Sequence, residues 1–329
     1  MKALLATAAG GADVLALVDR EKPRPGPGEV LIGVRLAPVN WADVTGRRGT
    51  YAPVGGFDYP HPLGLEAMGT VVELGAGVRD LDVGDRVAAF TIGGGYAEFA
   101  LASATATYRI PTEVSDEQAA AFPVVGLTAY NVVVAAGRAR PGERILVTAA
   151  AGGVGSTIVQ VCRKLGLGPV YAAAGSASRA EHARSLGAEA AIDYGSGSLS
   201  DAIATVTRGR GLDLVLDSVG GEIRAQAFSA LVPLGRLVEF GNGSGMPEAD
   251  YRGDALRGRV VAVAGFNLAV LRAHRPDLVR ESAEQMLQWL AEGTVRIEVE
   301  DILPLEAGGE AHRRLETRQV NGKLLLRVS

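Results

Sequence analysis

Cysteine is almost missing from this chain: Cys162 is the only one in 329 residues, which excludes an internal disulfide and any cysteine-rich zinc site. Positive charge is not in excess. With 33 Lys and Arg against 37 Asp and Glu, the formal net charge of −4 argues against electrostatic binding to nucleic acid or an anionic membrane. No run approaches about 18 uninterrupted apolar residues, and Met1-Lys2-Ala3-Leu4-Leu5 enters a strand pattern rather than a signal peptide. These absences predict a soluble, cytoplasmic protein. Cys162 sits on the apolar face of a helical pattern and reads as a packed core thiol, not a nucleophile. Hydrophobic residues make up 47% of the chain, enough to fill two domains at this length.

The most informative stretch is Arg144-Ile145-Leu146-Val147-Thr148-Ala149-Ala150-Ala151-Gly152-Gly153-Val154-Gly155-Ser156. A buried-strand run feeds a turn of small residues, and Ile158, Val159, Val161, Cys162 and Leu165 then recur as one apolar helical face. Against the dinucleotide fingerprint the three key positions are Ala150, Gly152 and Gly155, with Gly153 an additional glycine. Gly152 lets the backbone approach a pyrophosphate, Gly155 lets the helix close on the strand, and the helix N-terminus offers N–H groups and positive dipole to the anion. Ala151 and Val154 complete the turn. A second strand, 170–174, ends in Gly175-Ser176-Ala177-Ser178-Arg179, where an NAD site would place an acid for the ribose hydroxyls. No acid occurs from 165 to 180. Ser176, Ser178 and Arg179 suit a 2′-phosphate instead, because a guanidinium forks onto phosphate oxygens and hydroxyls donate to them. The expected cofactor is NADPH; the alternative for these three residues is an ordinary solvated turn.

Residues 1–120 read as β-rich, with short strands at 30–37, 70–74 and 86–90 separated by Gly and Pro. Helices then alternate with apolar strands at 144–148, 170–174, 190–192, 212–216, 235–239 and 259–264, the pattern of a doubly wound parallel sheet. An amphipathic helix over 276–292 follows, and the tail returns to strands at 298–303 and 323–328. The fold class is α/β. The expected domains are 1–120 together with 268–329, and an inserted nucleotide-binding domain at 121–267.

Seven motifs now stand in order: Pro27-Gly28-Glu29-Val30-Leu31-Ile32, Val39-Asn40-Trp41-Ala42-Asp43, Gly64-Leu65-Glu66-Ala67-Met68-Gly69, Val83-Gly84-Asp85-Arg86-Val87, Gly126-Leu127-Thr128-Ala129-Tyr130, the glycine turn, and Asp217-Ser218-Val219-Gly220-Gly221. The set resembles the medium-chain dehydrogenase/reductase superfamily, in its zinc-independent branch of quinone oxidoreductases and enoyl reductases. The resemblance covers nearly the whole chain. It implies a GroES-like β-rich catalytic domain plus a Rossmann domain with a doubly wound parallel six-stranded sheet. Zinc-dependent members carry Gly-His-Glu where this chain has Gly64-Leu65-Glu66, and they use cysteines as ligands. Leu65 cannot coordinate, His61 between two prolines reads as a loop residue, and a catalytic zinc needs three protein ligands, so no metal is expected.

The resemblance also implies roles. Tyr51 matches the tyrosine proposed as acid or carbonyl donor in enoyl reductases, while Thr45 stands where bacterial quinone oxidoreductases carry a further tyrosine. Asn40 would hydrogen-bond near the nicotinamide or substrate. Thr128 would lie beside the nicotinamide and Tyr194 near the adenosine phosphate. Ser218, Val219, Phe240, Gly241, Phe266 and Asn267 follow strand ends, and Asn321 would close over the cofactor. The plainer alternatives are a loop-packing ring for Tyr51, a backbone-bonding strand end for Asn40, and core packing for Phe240 and Phe266. Asp43 and Arg47, one helical turn apart, read as a solvated pair. The implied activity is NADPH-dependent hydride delivery to an enone or enoyl thioester. A quinone is the alternative acceptor, and an NADPH-binding structural or redox-sensing protein with little catalysis is the alternative class. The apolar edge strand at 259–264 leads to an expected homodimer, since relatives join these edges across two subunits.

The coenzyme reading gives a direct test. Arg179→Ala should weaken NADPH binding by about 1.5–3 kcal/mol, the range of a charge-assisted hydrogen bond, and barely change NADH binding. Titration of both coenzymes against both proteins measures it; equal losses would show that Arg179 does not read the phosphate.

Overall fold

The structure, a computed structural model, describes residues 1–50, 58–247 and 249–328, so Tyr51 lies outside the described residues. The chain forms two compact units. One comprises Met1–Val124, Leu287–Glu292 and Ile297–Ser329; the other comprises Val125–Met286 and Gly293–Arg296. The boundary falls later than the sequence pattern suggested. Residues 268–286, including most of the helix Pro276–Ala291, pack with the second unit rather than with the tail.

In the first unit a six-stranded sheet runs in the order Val299–Pro304, Lys323–Arg327, Glu29–Val39, Glu66–Leu74, Arg86–Ile92, Phe99–Arg109. Glu29–Val39 also pairs with Phe99–Arg109, which closes four strands on themselves and removes two edges. This closure explains why Glu29–Val39 is apolar on both faces instead of alternating. Gly69 is required at the crossing, because a Cβ there would lie 2.0 Å from the Gly33 carbonyl oxygen. The tail strand Lys323–Arg327 pairs antiparallel with 36–39, Leu324 opposite Val39, so the chain's two ends share one core. A smaller sheet joins Leu15–Asp19, Lys2–Ala6 and His61–Pro62. His61 is thus a bridge residue opposite Ala6, not a loop residue.

The second unit contains the expected six-stranded sheet, in the order Ala190–Asp193, Gly168–Ala174, Pro141–Val147, Leu212–Asp217, Leu231–Glu239, Ala262–Gly265, every pairing parallel. Leu146, Tyr171, Ile192, Leu212, Val215 and Leu237 make up much of its core. The last strand corrects the sequence reading. Arg259 ends the helix Gly253–Arg259, and Val260 closes that helix in the left-handed region at φ 56°, so only four residues remain for the edge. A β-branched residue at positive φ is held there by its neighbours, the Val260 carbonyl accepting from Leu234 N–H at 2.6 Å. One helical run, Asp116–Ala136, is long and apolar enough to cross a membrane, yet 72% of its most apolar window is buried inside the protein, as in a core helix.

Candidate active site

In the second unit, strand Pro141–Val147 delivers the chain to Thr148 and a turn, after which helix Gly153–Lys164 begins. The turn's backbone strain falls on Ala149, at φ 47°, one residue before the first fingerprint position. Ala150 bonds Ala173 O through its N–H at 2.9 Å and is not at positive φ, so alanine can serve where the fingerprint has glycine. Gly155 cannot be replaced freely: a Cβ would meet Ala149 O at 2.4 Å. At Gly152 the nearest atom to such a Cβ is Ala149 O at 3.3 Å. The Gly152 N–H is donated to Ala149 O at 2.9 Å, so it is residues 153–155, the first turn of the helix, that present backbone N–H groups of a fresh helix end, the arrangement that receives a pyrophosphate.

The neighbouring strand, Gly168–Ala174, ends beside this turn, and Ser176 opens helix Ala177–Ser185. The Ser176 and Ser178 hydroxyls lie 3.3 Å apart on the exposed side, followed by Arg179. Tyr194 bonds Ala174 O at 3.0 Å and its ring covers Gly175, so the structure groups Tyr194 with the two serines.

At the next strand end Asp217 is fully buried and its carboxylate is the hub of the sheet's rim. It accepts from Thr148 Oγ1 at 2.5 Å, Gly220 N–H at 2.9 Å and Arg224 Nε at 2.7 Å. Arg224 also pairs with Glu239 and donates to Gly241 O. Ser218 O and Val219 O receive the N–H groups of Gly243 and Ser244, laying 218–219 against 241–244. Phe240 bonds Asp217 O and Phe266 bonds Glu239 O through their N–H groups, and both residues are half-buried. Asn267 caps helix Leu268–His274, its oxygen accepting from Ala269 and Val270 N–H, which gives it a structural task. Thr128 is buried on helix Leu127–Asn131, between two segments wound as π-helix, Phe122–Gly126 and Val132–Ala136.

The first unit carries a buried polar cluster. Asn40 precedes helix Trp41–Arg48 and is 6% exposed. Its Nδ2 donates to Glu66 Oε1 at 3.0 Å, and its Oδ1 accepts from Lys323 Nζ at 2.6 Å. Glu66 Oε2 accepts from Val124 N–H at 2.7 Å. Lys323 Nζ also donates to Val39 O at 3.0 Å and stands 3.4 Å from Glu66. Burial pushes the Glu66 carboxyl up and Lys323 opposes it; burial likewise pushes the Lys323 ammonium down. Asp43 and Arg47 do not pair as read from the sequence. Asp43 is buried and accepts from Asn40 and Gly64 N–H and from Tyr96 Oη, while Arg47, fully buried, binds Glu316 and Gly10 O. The helix face they share is covered by tertiary packing, so neither is solvated. Asn321, half-buried, donates its N–H to Glu300 at 2.5 Å just before Lys323.

Residues 26–112 match the alcohol dehydrogenase GroES-like domain, and 186–326 match a family described as zinc-binding dehydrogenase. The chain is 32% identical over 343 residues to the synaptic vesicle membrane protein VAT-1 homolog of Rattus norvegicus, covering 99% of this chain and 84% of that protein. It is 31% identical to the quinone oxidoreductase of Pseudomonas aeruginosa, covering 96% of both. It is 30% identical to a mycocerosic acid synthase-like polyketide synthase of Mycobacterium tuberculosis, covering 97% of this chain but 15% of that protein. Escherichia coli quinone oxidoreductase complexed with NADPH superposes with a TM-score of 0.93 at 29% identity, covering 100% of both chains.

The zinc in one family description does not fit these residues. Leu65 offers no donor, Glu66 is committed to Lys323, Asn40 and Val124, and an ammonium beside that carboxylate opposes a second cation. Cys162 belongs to the other unit, buried, its thiol pushed up to about 12. Among the described residues no three His, Cys, Asp or Glu side chains gather as a ligand set.

His312 adds a pH-dependent element to the cluster. Its Nε2 lies 3.3 Å from Tyr96 Oη, whose own proton goes to Asp43, so His312 donates and stays neutral. Burial, reinforced by Arg47, pulls its pKa from the ordinary 6.5 to about 3. The folded value lies below the unfolded one, so stability is complete above about 6.5 and is lost as pH falls toward 3. Denaturant unfolding across that window should show a shallower pH dependence in His312→Gln, by up to one proton. An identical slope in both proteins would remove His312 as the responsible group.

Proposed function

The chain belongs to the medium-chain dehydrogenase/reductase superfamily, in its quinone oxidoreductase-type branch, and from that premise we propose a reductase that delivers hydride, without zinc, to the electron-poor carbon of an enone or enoyl thioester. It is an oxidoreductase and its cofactor is NADPH. The observation that carries the reading is the row of strand ends in the second unit, a glycine-lined helix start followed by two hydroxyls and a guanidinium with no acid among them. Bound NADPH supplies hydride from its nicotinamide C4. On this reading Ala151, Gly152, Gly153, Val154 and Gly155 hold the pyrophosphate, and Ser176, Ser178 and Arg179 hold the 2′-phosphate with Tyr194 alongside. Thr128, Ser218, Val219, Phe240, Gly241, Phe266, Asn267 and Asn321 form the remaining cofactor shell.

Hydride addition to a conjugated carbonyl builds negative charge on the carbonyl oxygen, and a donor aimed at that oxygen lowers the barrier. We assign that donation to Tyr51 and the placement of nicotinamide or substrate to Asn40. The relationship to a polyketide synthase and the loss of tyrosine at Thr45 favour an enoyl-type acceptor. The relatives named as quinone oxidoreductases favour a quinone as the second reading. A homodimer is proposed through the edge Ala262–Gly265, beside which Leu234 of the neighbouring strand and Val260 of the preceding turn are 83% and 52% exposed, since a bare apolar edge calls for a partner.

NADPH oxidation followed with enone, enoyl thioester and quinone panels, in the presence of a chelator, should show turnover with the conjugated carbonyls. NADPH binding that no acceptor accelerates would instead mark an NADPH-binding protein with little catalysis. Tyr51→Phe should lower enone turnover by about 10²–10⁴-fold, the usual general-acid contribution, with NADPH affinity unchanged; wild-type turnover would leave Tyr51 as pocket wall. Light scattering at micromolar concentration should give twice the 34.0 kDa chain mass, and a monomer would remove the dimer.

A further inference from the structure

We propose that Lys323 is a positioning residue for hydride transfer, fixing which way the Asn40 carboxamide faces. The inference rests on the role proposed above for Asn40. An amide has two orientations that differ little in shape and fully in chemistry, since exchanging O for NH₂ turns a donor into an acceptor. Here the orientation is decided by two neighbours that cannot exchange roles. The Lys323 ammonium can only donate, and it lies 2.6 Å from Asn40 Oδ1. The Glu66 carboxylate, paired with that ammonium at 3.4 Å, accepts, and it lies 3.0 Å from Asn40 Nδ2. The opposite orientation would set N–H against ammonium and oxygen against carboxylate.

Lys323 is not itself the donor to a substrate. Its three N–H groups face Val39 O, Asn40 Oδ1 and Glu66 Oε1, leaving none over. Among the described residues Asn40 does keep one: Nδ2 carries two hydrogens and Glu66 takes one. The fixed amide therefore presents a spare N–H, the group that can hold a carbonyl oxygen of substrate or nicotinamide. Without the ammonium, Glu66 is a lone buried carboxylate and protonates; it can then donate to Asn40 Oδ1, and the amide is free to turn its lone pairs outward.

Four variants of the full-length protein test this by kcat, KM, NADPH affinity and thermal midpoint: Asn40→Ala, Lys323→Met, Lys323→Met with Asn40→Ala, and Lys323→Met with Glu66→Gln. Lys323→Met should lower kcat about 10²-fold, as expected for a misplaced contact, with NADPH affinity held within a few-fold. Combined with Asn40→Ala it should bring no further loss of kcat, because both act through one carboxamide. Combined with Glu66→Gln it should regain thermal stability, because glutamine is neutral without having to take up a proton, while kcat stays low, because glutamine can both donate and accept. Recovery of kcat together with stability would overturn the inference and reduce Lys323 to charge balance. So would near-wild-type kcat in Lys323→Met beside an impaired Asn40→Ala. Full turnover in Asn40→Ala would instead remove the role of Asn40, and this inference with it.

Discussion

Glu66 brings four separate segments of the first unit to one buried point. Its own strand supplies the carboxylate, the helical run at Val124 supplies an N–H, the residue before helix Trp41–Arg48 supplies an amide, and the tail strand supplies an ammonium. Removing a charge of this kind from water costs several kcal/mol, and the cost is met only when every lone pair finds a donor. Taking away one partner of such a pair typically costs about 3–5 kcal/mol, because the other stays behind uncompensated. The packing of Leu324 and Leu326 against Val34, Val39 and Ala67 shapes the unit. The ion pair decides the register in which the tail enters it, since sliding Lys323 by one residue would put its ammonium on the opposite face of the sheet.

Asp217 plays the matching part in the second unit. A carboxylate at a strand end, holding Thr148, Gly220 and Arg224, ties its own strand end to the neighbouring one and to the helix Gly221–Ser229. Arg224 extends the link to Glu239 and to Gly241. The loops that follow are short and rich in glycine, so they have little intrinsic preference of their own. Their shape is borrowed from the buried charges beneath them, Asp217 holding the Gly220 N–H and Arg224 the Gly241 carbonyl.

The parts of the fold legible in the sequence are those set by local pattern. Within Pro141–Val147, Gly168–Ala174 and Leu212–Asp217 the stretches 145–147, 170–174 and 214–216 are apolar and buried throughout, as strands covered on both faces of a parallel sheet are. The parts that were not legible depend on partners far along the chain. Asp43 and Arg47 have the spacing of a surface pair, yet their partners are Tyr96, 53 residues away, and Glu316, 269 residues away. Lys323 and Glu66 are separated by 257 residues. Nothing in the run Lys323-Leu324-Leu325-Leu326 says that its cation points inward, apart from the oddity of a lysine heading an apolar strand. The early start assigned to the edge strand failed for a related reason: Val260 and Val261 have strong strand preference, and the C-terminal turn of helix Gly253–Arg259 overrode it.

The near-absence of cysteine acquires a chemical meaning beside the proposed acceptors. Enones, enoyl thioesters and quinones are soft electrophiles that alkylate thiolates, so a catalyst that binds them repeatedly is exposed to inactivation by its own substrates. Alkylation requires a thiol that is both reachable and ionised. Cys162 is neither, closed inside helix Gly153–Lys164 with its proton held to about 12. A chain built this way offers such acceptors no reachable thiolate to alkylate.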